Sequence, residues 1–308
     1  MTNILRHRDA ASRQAKPMNF ADELERLAKL TELKLDGLIP APTTRLGKAM
    51  RYALLGPGKR LRPFLVVSSA HVFGVPEDRA LEAAAALECI HCYSLVHDDL
   101  PCMDDDDLRR GRPTTHIAFD EATAVLTGDG LLTLAFEIMS GPQIDPDPAI
   151  RVELVSLLAK AAGWQGMVLG QALDLEAEGR SLSMDETLRM QALKTGALFK
   201  FACEGGAVLG RATPDARRAL VTYATALGQA FQLADDLLDA QSTTAKLGKA
   251  ASKDAARGKA TFIALLGIDG AKAKLAGLVR DAESALSPLG PKAEPLADAA
   301  RFVASRES

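Results

Sequence analysis

Residues 77–107 read EDRALEAAAALECIHCYSLVHDDLPCMDDDD. Pro76 followed by two acidic residues is typical of a helix N-terminus, and the apolar segment that follows runs to about Asp99. Ala and Leu dominate the whole chain, which contains only 10 Phe, 3 Tyr and 1 Trp. Because this composition favours helix over strand, we predict an all-α protein with nine or ten helices and no strand.

Composition and charge exclude several classes of protein. The 308 residues are 47% hydrophobic, and 37 Lys and Arg oppose 40 Asp and Glu, a near balance that argues against a nucleic-acid partner. No apolar run reaches the roughly 18 to 20 residues of a membrane span, so we expect no stable membrane insertion. The four cysteines form no second C-x-x-C pair, which favours reduced thiols in a cytoplasmic protein.

The chain contains no linker that would divide it into two domains. We therefore predict a disordered basic tail over residues 1–17 and one domain over residues 18–308. The tail lacks the apolar core of a secretory signal, and a mitochondrial presequence is the alternative interpretation of its arginines.

Six carboxylates lie within ten residues at the end of the segment quoted above, at Asp98, Asp99 and residues 104–107. They repel one another unless cations lie among them. Carboxylate oxygens suit Mg²⁺, which bridges one or two of them to substrate phosphates. Pro101 interrupts the helix, so Asp104 must approach from an irregular segment. The alternative is a solvated acidic loop.

A second acidic cluster lies about 135 residues later, within an apolar helical run. Its members are three or four residues apart and share one helical face: Gln232, Asp235, Asp236 and Asp239. Like charges on one face destabilise an isolated helix, so this cluster also predicts a metal site. A solvated helix face is again the alternative.

Cations that could bind phosphate follow a Gly-Pro-Gly turn at residues 56–58. Lys59, Arg60 and Arg62 lie there, where glycine lets the backbone approach an anion and arginine offers a bidentate fork. Arg109 and Arg110 lie beside the first acidic cluster. The pattern predicts a polyanionic substrate held partly through Mg²⁺ and partly through basic side chains.

Six motifs in this order carry a family resemblance: GKRLRP (58–63), residues 98–110, GQALD (170–174), KTG (194–196), FQLADDLLD (231–239) and GKAT (258–261). From about residue 20 to residue 304, the chain resembles the trans-isoprenyl diphosphate synthases, most closely the bacterial-type farnesyl diphosphate synthases. The resemblance implies a single-domain helical bundle around a deep central cavity, and a homodimer.

The resemblance also implies roles for particular residues. Two or three Mg²⁺ ions would be held by Asp98, Asp99, Asp104, Asp235 and Asp239. The allylic diphosphate would be contacted by Arg109, Lys194, Thr195, Gln232, Lys249 and Lys259. Isopentenyl diphosphate would be held by Lys59, Arg62, His91 and Arg110. The catalytic set would be Asp98, Asp99, Asp104, Lys194, Asp235 and Asp236.

The implied reaction condenses dimethylallyl or geranyl diphosphate head to tail with isopentenyl diphosphate, giving (2E,6E)-farnesyl diphosphate and diphosphate. Tyr93, about 7 to 8 Å deeper along the helix than Asp98, would form the floor of the cavity beside the small Ser94. Tyr93 as an ordinary core aromatic is the other interpretation. A geranylgeranyl or geranyl product remains an alternative and, more remotely, so does a class I terpene cyclase. A non-catalytic partner subunit would be expected to have degraded acidic motifs, whereas both motifs are complete in this chain.

Overall fold

The computed structural model describes residues 19–180, 182–245 and 262–305, without the side chains of Asp239, residues 241–245, Phe262 and Ala264. The predicted tail at residues 1–17, together with Lys249 and Lys259, lies outside the described residues. The side chain of Asp239 does so too, although its backbone belongs to a described helix.

Thirteen α-helices account for most of the described residues. They are α1 (Phe20–Leu38), α2 (Arg45–Leu54), α3 (Leu61–Val72), α4 (Glu77–Asp98), α5 (Thr115–Ala118), α6 (Glu121–Ser140), α7 (Pro148–Ala162), α8 (Met167–Glu176), α9 (Met184–Gln191), α10 (Ala197–Leu209), α11 (Pro214–Ala245), α12 (Phe262–Leu286, interrupted at Gly267) and α13 (Glu294–Ser305). A π-helical turn (Ala192–Gly196) joins α9 to α10, and two 3₁₀ turns (Ser287–Leu289 and Pro291–Ala293) precede α13. The all-α prediction is confirmed, but the expected nine or ten helices are too few.

A short hairpin contradicts the expectation of no strand. Strands β1 (Leu108–Arg109) and β2 (Arg112–Pro113) pair antiparallel, with Arg109 opposite Arg112. The two residues between them, Arg110 and Gly111, have φ of 52° and 76°. Positive φ at both central positions is the requirement of a type I′ turn, whose twist matches that of the paired strands. The hairpin is two residues long on each side, too short to produce a recognisable alternating pattern.

Helix α4 is the central element of the bundle. It packs against α1, α2, α3, α6 and α10, and its apolar residues are buried on nearly all sides, including Leu87 and Ile90. A helix that is apolar all round is a core helix, and each such side chain contributes about 1.5–3 kcal/mol through burial. The bundle thus holds the acidic C-terminus of α4 on a rigid support.

The segment after α4 folds back onto the end of the helix. The backbone N–H of Asp104 donates to the carbonyl of Asp98 (2.8 Å), and that of Asp106 donates to the carbonyl of Asp99 (3.2 Å). These bonds satisfy carbonyls that the helix end leaves without partners. They also confirm the prediction that Asp104 approaches from an irregular segment.

Two glycines allow neighbouring helical segments to approach each other closely. A Cβ at Gly170 on α8 would overlap the backbone nitrogen of Lys194, and a Cβ at Gly128 on α6 would overlap the ring of His97. The lack of a side chain at these positions lets α8 approach the π-helical turn and α6 approach the end of α4.

Two stretches of the described chain are long and apolar enough to cross a membrane, Glu121–Ser140 and Pro148–Glu176. This corrects the sequence expectation that no apolar stretch has that length. The core helix of a soluble protein passes the same test, so the finding is weak evidence for membrane insertion. α6, the first of the two, packs along α4.

Candidate active site

Two cavities of about 400 Å³ lie next to each other beside α4 and share Arg62 and His91 in their walls. The first, here called the apolar cavity, is lined by α4, α8 and the π-helical turn, and mainly by apolar side chains: Tyr93, Met103, Met167, Ala172, Leu175 and Leu198. The second, the basic cavity, lies beneath the Gly-Pro-Gly turn. A large hydrocarbon and an anion can therefore be held in adjacent sites.

The basic cavity brings together all four residues predicted to hold isopentenyl diphosphate: Lys59, Arg62, His91 and Arg110. Arg62 lies 3.4 Å from the Nε2 of His91. Burial, and then the positive charges of Arg62 and Arg110, lower the pKa of His91 well below its usual 6.5. His91 is therefore a neutral imidazole at pH 7 and can present a hydrogen-bond donor to an anion without adding charge.

Arg60 also lines the basic cavity, but it is buried and directed towards Glu88. Its backbone is left-handed (φ 50°), and its buried guanidinium pairs with Glu88 at 2.6 Å. It also donates to the carbonyls of Leu54 (2.9 Å) and Gly56 (2.7 Å). Arg60 thus holds the Gly-Pro-Gly turn from beneath, a structural role that sequence reasoning did not assign.

Asp98 lies in the wall of the apolar cavity, close enough to Lys194 for their charges to interact. Burial raises the pKa of Asp98 to about 6, and the negative charges of Asp104 and Asp99 act in the same direction. Lys194 opposes this shift but does not cancel it. The carboxylate is therefore held where its charge is costly until a cation arrives.

Asp99 is paired with a cation from the hairpin. Its Oδ1 accepts from the Nε of Arg109 at 2.5 Å, while Asp106 lies 3.7 Å from the same guanidinium. Burial still raises the pKa of Asp99, although Arg109 opposes the shift. The predicted allylic-diphosphate ligand Arg109 is therefore engaged by carboxylates.

The carboxylates of the first acidic motif suit a Mg²⁺ ion that is shared with a substrate phosphate. Within the described residues, no group of three or more His, Cys, Asp or Glu side chains is arranged to hold a metal ion by itself. Mg²⁺ keeps several water ligands and uses one or two carboxylates together with substrate phosphates. The partly buried, mutually repelling carboxylates of Asp98, Asp99 and Asp104 fit such a shared site, and not a closed protein cage.

The second acidic motif is connected to the apolar cavity through hydrogen bonds. Thr195, in the cavity wall, donates to the Oε1 of Gln232 (3.3 Å), whose Nε2 donates to Asp236 (3.2 Å). Asp236 is buried, and the charge of Asp235 acts on Arg62. Lys194, on the same turn as Thr195, pairs with Asp174 at 2.5 Å. A π-helical turn at this position is typical of a functional site.

Tyr93 and Ser94 both line the apolar cavity, five and four residues before Asp98 on α4. Tyr93 is buried and makes an edge-on contact with the ring of His97, with centroids 5.9 Å apart. Burial raises the pKa of its hydroxyl to about 12, so it stays protonated. Tyr93 is therefore a core aromatic and a wall of the cavity at once.

Gln171 is a polar residue in this wall to which sequence reasoning assigned no role. Of the described residues, none hydrogen-bonds to its side-chain amide, and both amide atoms are buried. The GQALD pattern marked the position, but no sequence signal shows whether a glutamine has a partner.

Comparison with known proteins agrees with this geometry. The family model described as polyprenyl synthetase matches residues 43–286. The chain is 46% identical to the farnesyl diphosphate synthase of Escherichia coli (strain K12), over 88% of this chain and 93% of that protein. It is 40% identical to geranylgeranyl pyrophosphate synthase 4 of Arabidopsis thaliana, over 88% of this chain and 74% of that protein.

A solved structure also shares the fold. The apo structure of an FPP/GFPP synthase from Zymomonas mobilis aligns with a TM-score of 0.85 and 46% sequence identity, covering 93% of this chain and 99% of that one.

The raised pKa of Asp98 predicts how stability responds to its removal. Without metal, Asp98→Asn should increase the free energy of unfolding at pH 7.5 by about 1–3 kcal/mol, because a charge disfavoured in the folded state is lost. The folded pKa lies above the unfolded value of 3.8, so the gain is full above about pH 7 and disappears below about pH 4.

Urea denaturation in EDTA at several pH values measures this difference. Asp107→Asn, a change at an exposed position of the same motif, is the control and should alter stability by less than about 0.5 kcal/mol. A less stable Asp98→Asn variant at pH 7.5, or a gain that persists at pH 4, would contradict the prediction.

Proposed function

Because the chain belongs to the polyprenyl synthetase family, we propose that it is a farnesyl diphosphate synthase. This transferase condenses dimethylallyl or geranyl diphosphate head to tail with isopentenyl diphosphate. The observation that carries the proposal is the meeting of a basic cavity and an apolar cavity at Arg62 and His91. That arrangement suits one substrate with a short chain beside another with a long chain.

In the basic cavity, Lys59, Arg62 and Arg110 bind the diphosphate of isopentenyl diphosphate. Arginine offers paired N–H donors to phosphate oxygens, and hydrogen bonds of this charge-assisted kind are stronger than neutral ones. Neutral His91 donates a further hydrogen bond. The double bond of this substrate then points towards the apolar cavity.

Asp98, which lines the apolar cavity, would hold Mg²⁺ at the allylic diphosphate, together with Asp99, Asp104, Asp235 and Asp239. When bound, two or three Mg²⁺ ions neutralise the charge that develops on the leaving diphosphate. Asp236 accepts a hydrogen bond from the side chain of Gln232 and so helps to orient it. The contacts to the diphosphate itself come from Arg109, Lys194, Thr195, Gln232, Lys249 and Lys259.

The reaction needs no protein nucleophile. The C1–O bond of the allylic substrate breaks and its electron pair leaves with the diphosphate. The double bond of isopentenyl diphosphate attacks C1, and a proton from its C2 passes to the departed diphosphate. The apolar lining protects the allylic cation from water.

Farnesyl diphosphate is the proposed product because the bulky Tyr93 narrows the apolar cavity next to Ser94. Geranylgeranyl diphosphate is the second candidate, supported by a relative named for that product at 40% identity. A class I terpene cyclase has no use for the basic cavity, which therefore argues against that alternative.

The proposal predicts the products of one experiment. With Mg²⁺, geranyl diphosphate and labelled isopentenyl diphosphate, the protein should release labelled farnesyl diphosphate, identified by chromatography after dephosphorylation. EDTA should abolish turnover, and Asp98→Asn should lower kcat at least about 100-fold because a metal ligand is lost. Cyclic hydrocarbon from the allylic substrate alone, or no condensation, would contradict the proposal.

Tyr93→Ala should lengthen the product. Removal of the ring extends the apolar cavity, so geranylgeranyl diphosphate or longer chains should become a major product. Chromatography of chain length measures the change, with Tyr52→Ala, which lies outside the apolar cavity, as the control. An unchanged product distribution would mean that another residue stops elongation.

We also propose that the protein is a cytoplasmic homodimer without stable membrane insertion. Large apolar side chains are exposed on α6, on α7 and in the residues that follow it: Val125, Leu126, Val152 and Trp164. Exposed apolar side chains are frequent at interfaces, and a second copy of the chain could cover those on α6 symmetrically. The four cysteines are all free, as expected in a reducing compartment.

Leu126→Glu tests the interface because it places a charge at an exposed apolar position of α6. Light scattering after gel filtration should give twice the chain mass of 32.7 kDa for the unmodified protein and the single mass for the variant. Leu33→Glu, at an exposed position on α1, should remain dimeric. If the unmodified protein is a monomer, the proposed homodimer is wrong. If the protein is recovered with membranes after cell fractionation, the proposed cytoplasmic location is wrong.

A further inference from the structure

One carboxylate lies among the cations of the basic cavity. Of the described residues that line this cavity, Glu88 is the sole acidic one, beside Lys59, Arg60, Arg62 and Arg110. Only 3% of its side-chain surface is exposed. A negative charge next to a site for a diphosphate weakens the binding of that anion through Coulomb repulsion. The position of Glu88 therefore needs a reason other than direct contact with the substrate.

Glu88 holds the guanidinium of Arg60. Its Oε1 accepts from the Nη1 of Arg60 at 2.6 Å, and the side chain of Arg60 is as deeply buried as its own. Glu32, which is half exposed, lies 3.7 Å from the Nε of the same guanidinium. An arginine without a partner is strongly disfavoured in a protein core. Glu88 is therefore the buried counter-charge that keeps Arg60 beneath the turn.

Arg60 in turn fixes the backbone of the Gly-Pro-Gly turn. Its Nη2 donates to the carbonyls of Leu54 and Gly56, at 2.9 and 2.7 Å. The next carbonyl along the turn, that of Pro57, accepts from the Nη1 of Arg110 at 2.5 Å. Arg60 and Arg110 thus bind neighbouring carbonyls of one turn. A shift of the turn would therefore also remove a partner of Arg110.

Three of the four residues proposed to bind isopentenyl diphosphate depend on the position of this turn. Lys59 directly follows it, Arg62 lies in the first turn of α3, and Arg110 is hydrogen-bonded to it. Charge acts in the same direction. Burial lowers the pKa of Arg62 and of Arg110, and the negative charge of Glu88 opposes this shift. The carboxylate thus favours the charged form of both guanidinium groups.

We propose that Glu88 is a positioning residue for the binding of isopentenyl diphosphate. It acts through Arg60, which holds the Gly-Pro-Gly turn where Lys59 and Arg110 meet one diphosphate together. Cations that are already in place bind an anion without a further loss of conformational freedom. This gain outweighs the repulsion from a single carboxylate. The inference deepens the proposed function and rests on it.

Glu88→Gln tests the inference, because repulsion and positioning predict opposite results. If the charge of Glu88 acted by repulsion alone, its loss would lower the KM of isopentenyl diphosphate. Positioning predicts a KM at least about tenfold higher, because Arg60 loses its counter-charge and releases the turn. The KM of geranyl diphosphate should stay within about threefold, since Glu88 does not line the apolar cavity.

A double variant separates positioning from loss of the fold. Arg60→Met together with Glu88→Leu removes the pair without leaving a buried charge, so the thermal midpoint should equal or exceed that of the unmodified protein. The carbonyls of Leu54 and Gly56 still lack their donor. The KM of isopentenyl diphosphate should therefore stay at least about tenfold raised in this stable variant.

Asp145→Asn is the matched control. Asp145 is also a fully buried carboxylate paired with arginines, Arg79 and Arg211, but it lies outside both cavities. Its loss should lower the thermal midpoint, because a buried pair is broken, and leave both KM values within about threefold.

Calorimetric titration with isopentenyl diphosphate in EDTA measures binding without turnover, and its Kd should follow the same pattern across the variants. Four results would overturn the proposal: an unchanged or lower value for Glu88→Gln, an equal rise in KM for both substrates, a normal value for the double variant, or a comparable rise for Asp145→Asn. If Glu88→Gln does not fold, the double variant decides.

The two readouts also separate this inference from the proposed function. If the unmodified protein binds isopentenyl diphosphate but does not condense it, the proposed reaction is wrong, and the Kd values still decide the role of Glu88. If the protein condenses the two diphosphates and Glu88→Gln matches it, only the role of Glu88 is wrong.

Discussion

Mutual repulsion among carboxylates at the end of a buried helix is the constraint on which the rest of this structure depends. α4 is surrounded by core packing, so Asp98 and Asp99 cannot move apart without disturbing the bundle. The fold compensates locally: Arg109 of the hairpin pairs with Asp99, and the backbone of the following turn closes over the helix end. Asp98 keeps a raised pKa, which leaves it suited to a metal cation.

The cations are divided between structure and binding in a similar way. Lys59, Arg60 and Arg62 all line the basic cavity, but Arg60 is buried, pairs with Glu88 and fixes the Gly-Pro-Gly turn. Arg60 has a left-handed backbone (φ 50°) at the position where the turn enters α3. A buried pair of this kind is costly to break, which makes the turn a rigid support for its neighbours.

Local patterns predicted much of the fold. The apolar segment after Pro76 forms α4, as its composition predicts, and Asp104 approaches from an irregular segment, as Pro101 predicts. The family resemblance is confirmed by the polyprenyl synthetase match. The hairpin was missed because it is only two residues long on each side, and its turn depends on a positive φ at Arg110 that arginine does not ordinarily signal.

The site was predictable in its residue types but not in its pairings. Spacing put Gln232 and Asp236 on one face, and the structure joins them by a hydrogen bond. No local pattern could show that Arg60 turns inward or that Lys194 meets Asp174, because those pairings depend on how distant helices pack. The missing partners of Gln171 are equally a property of the folded cavity.

The existing ion pairs couple the binding of metal to the binding of substrate. Arg109 is engaged by Asp99 and Lys194 by Asp174, so each cation would share its N–H donors between a carboxylate and a bound diphosphate. Under the proposed function, Asp99 would be a ligand of Mg²⁺, and Arg109 could then turn its N–H donors towards the phosphate oxygens. The diphosphate in turn supplies the ligands that Mg²⁺ lacks in a protein site of only a few carboxylates. Each ligand therefore removes an obstacle to the other, and a coupling of this kind must be reciprocal.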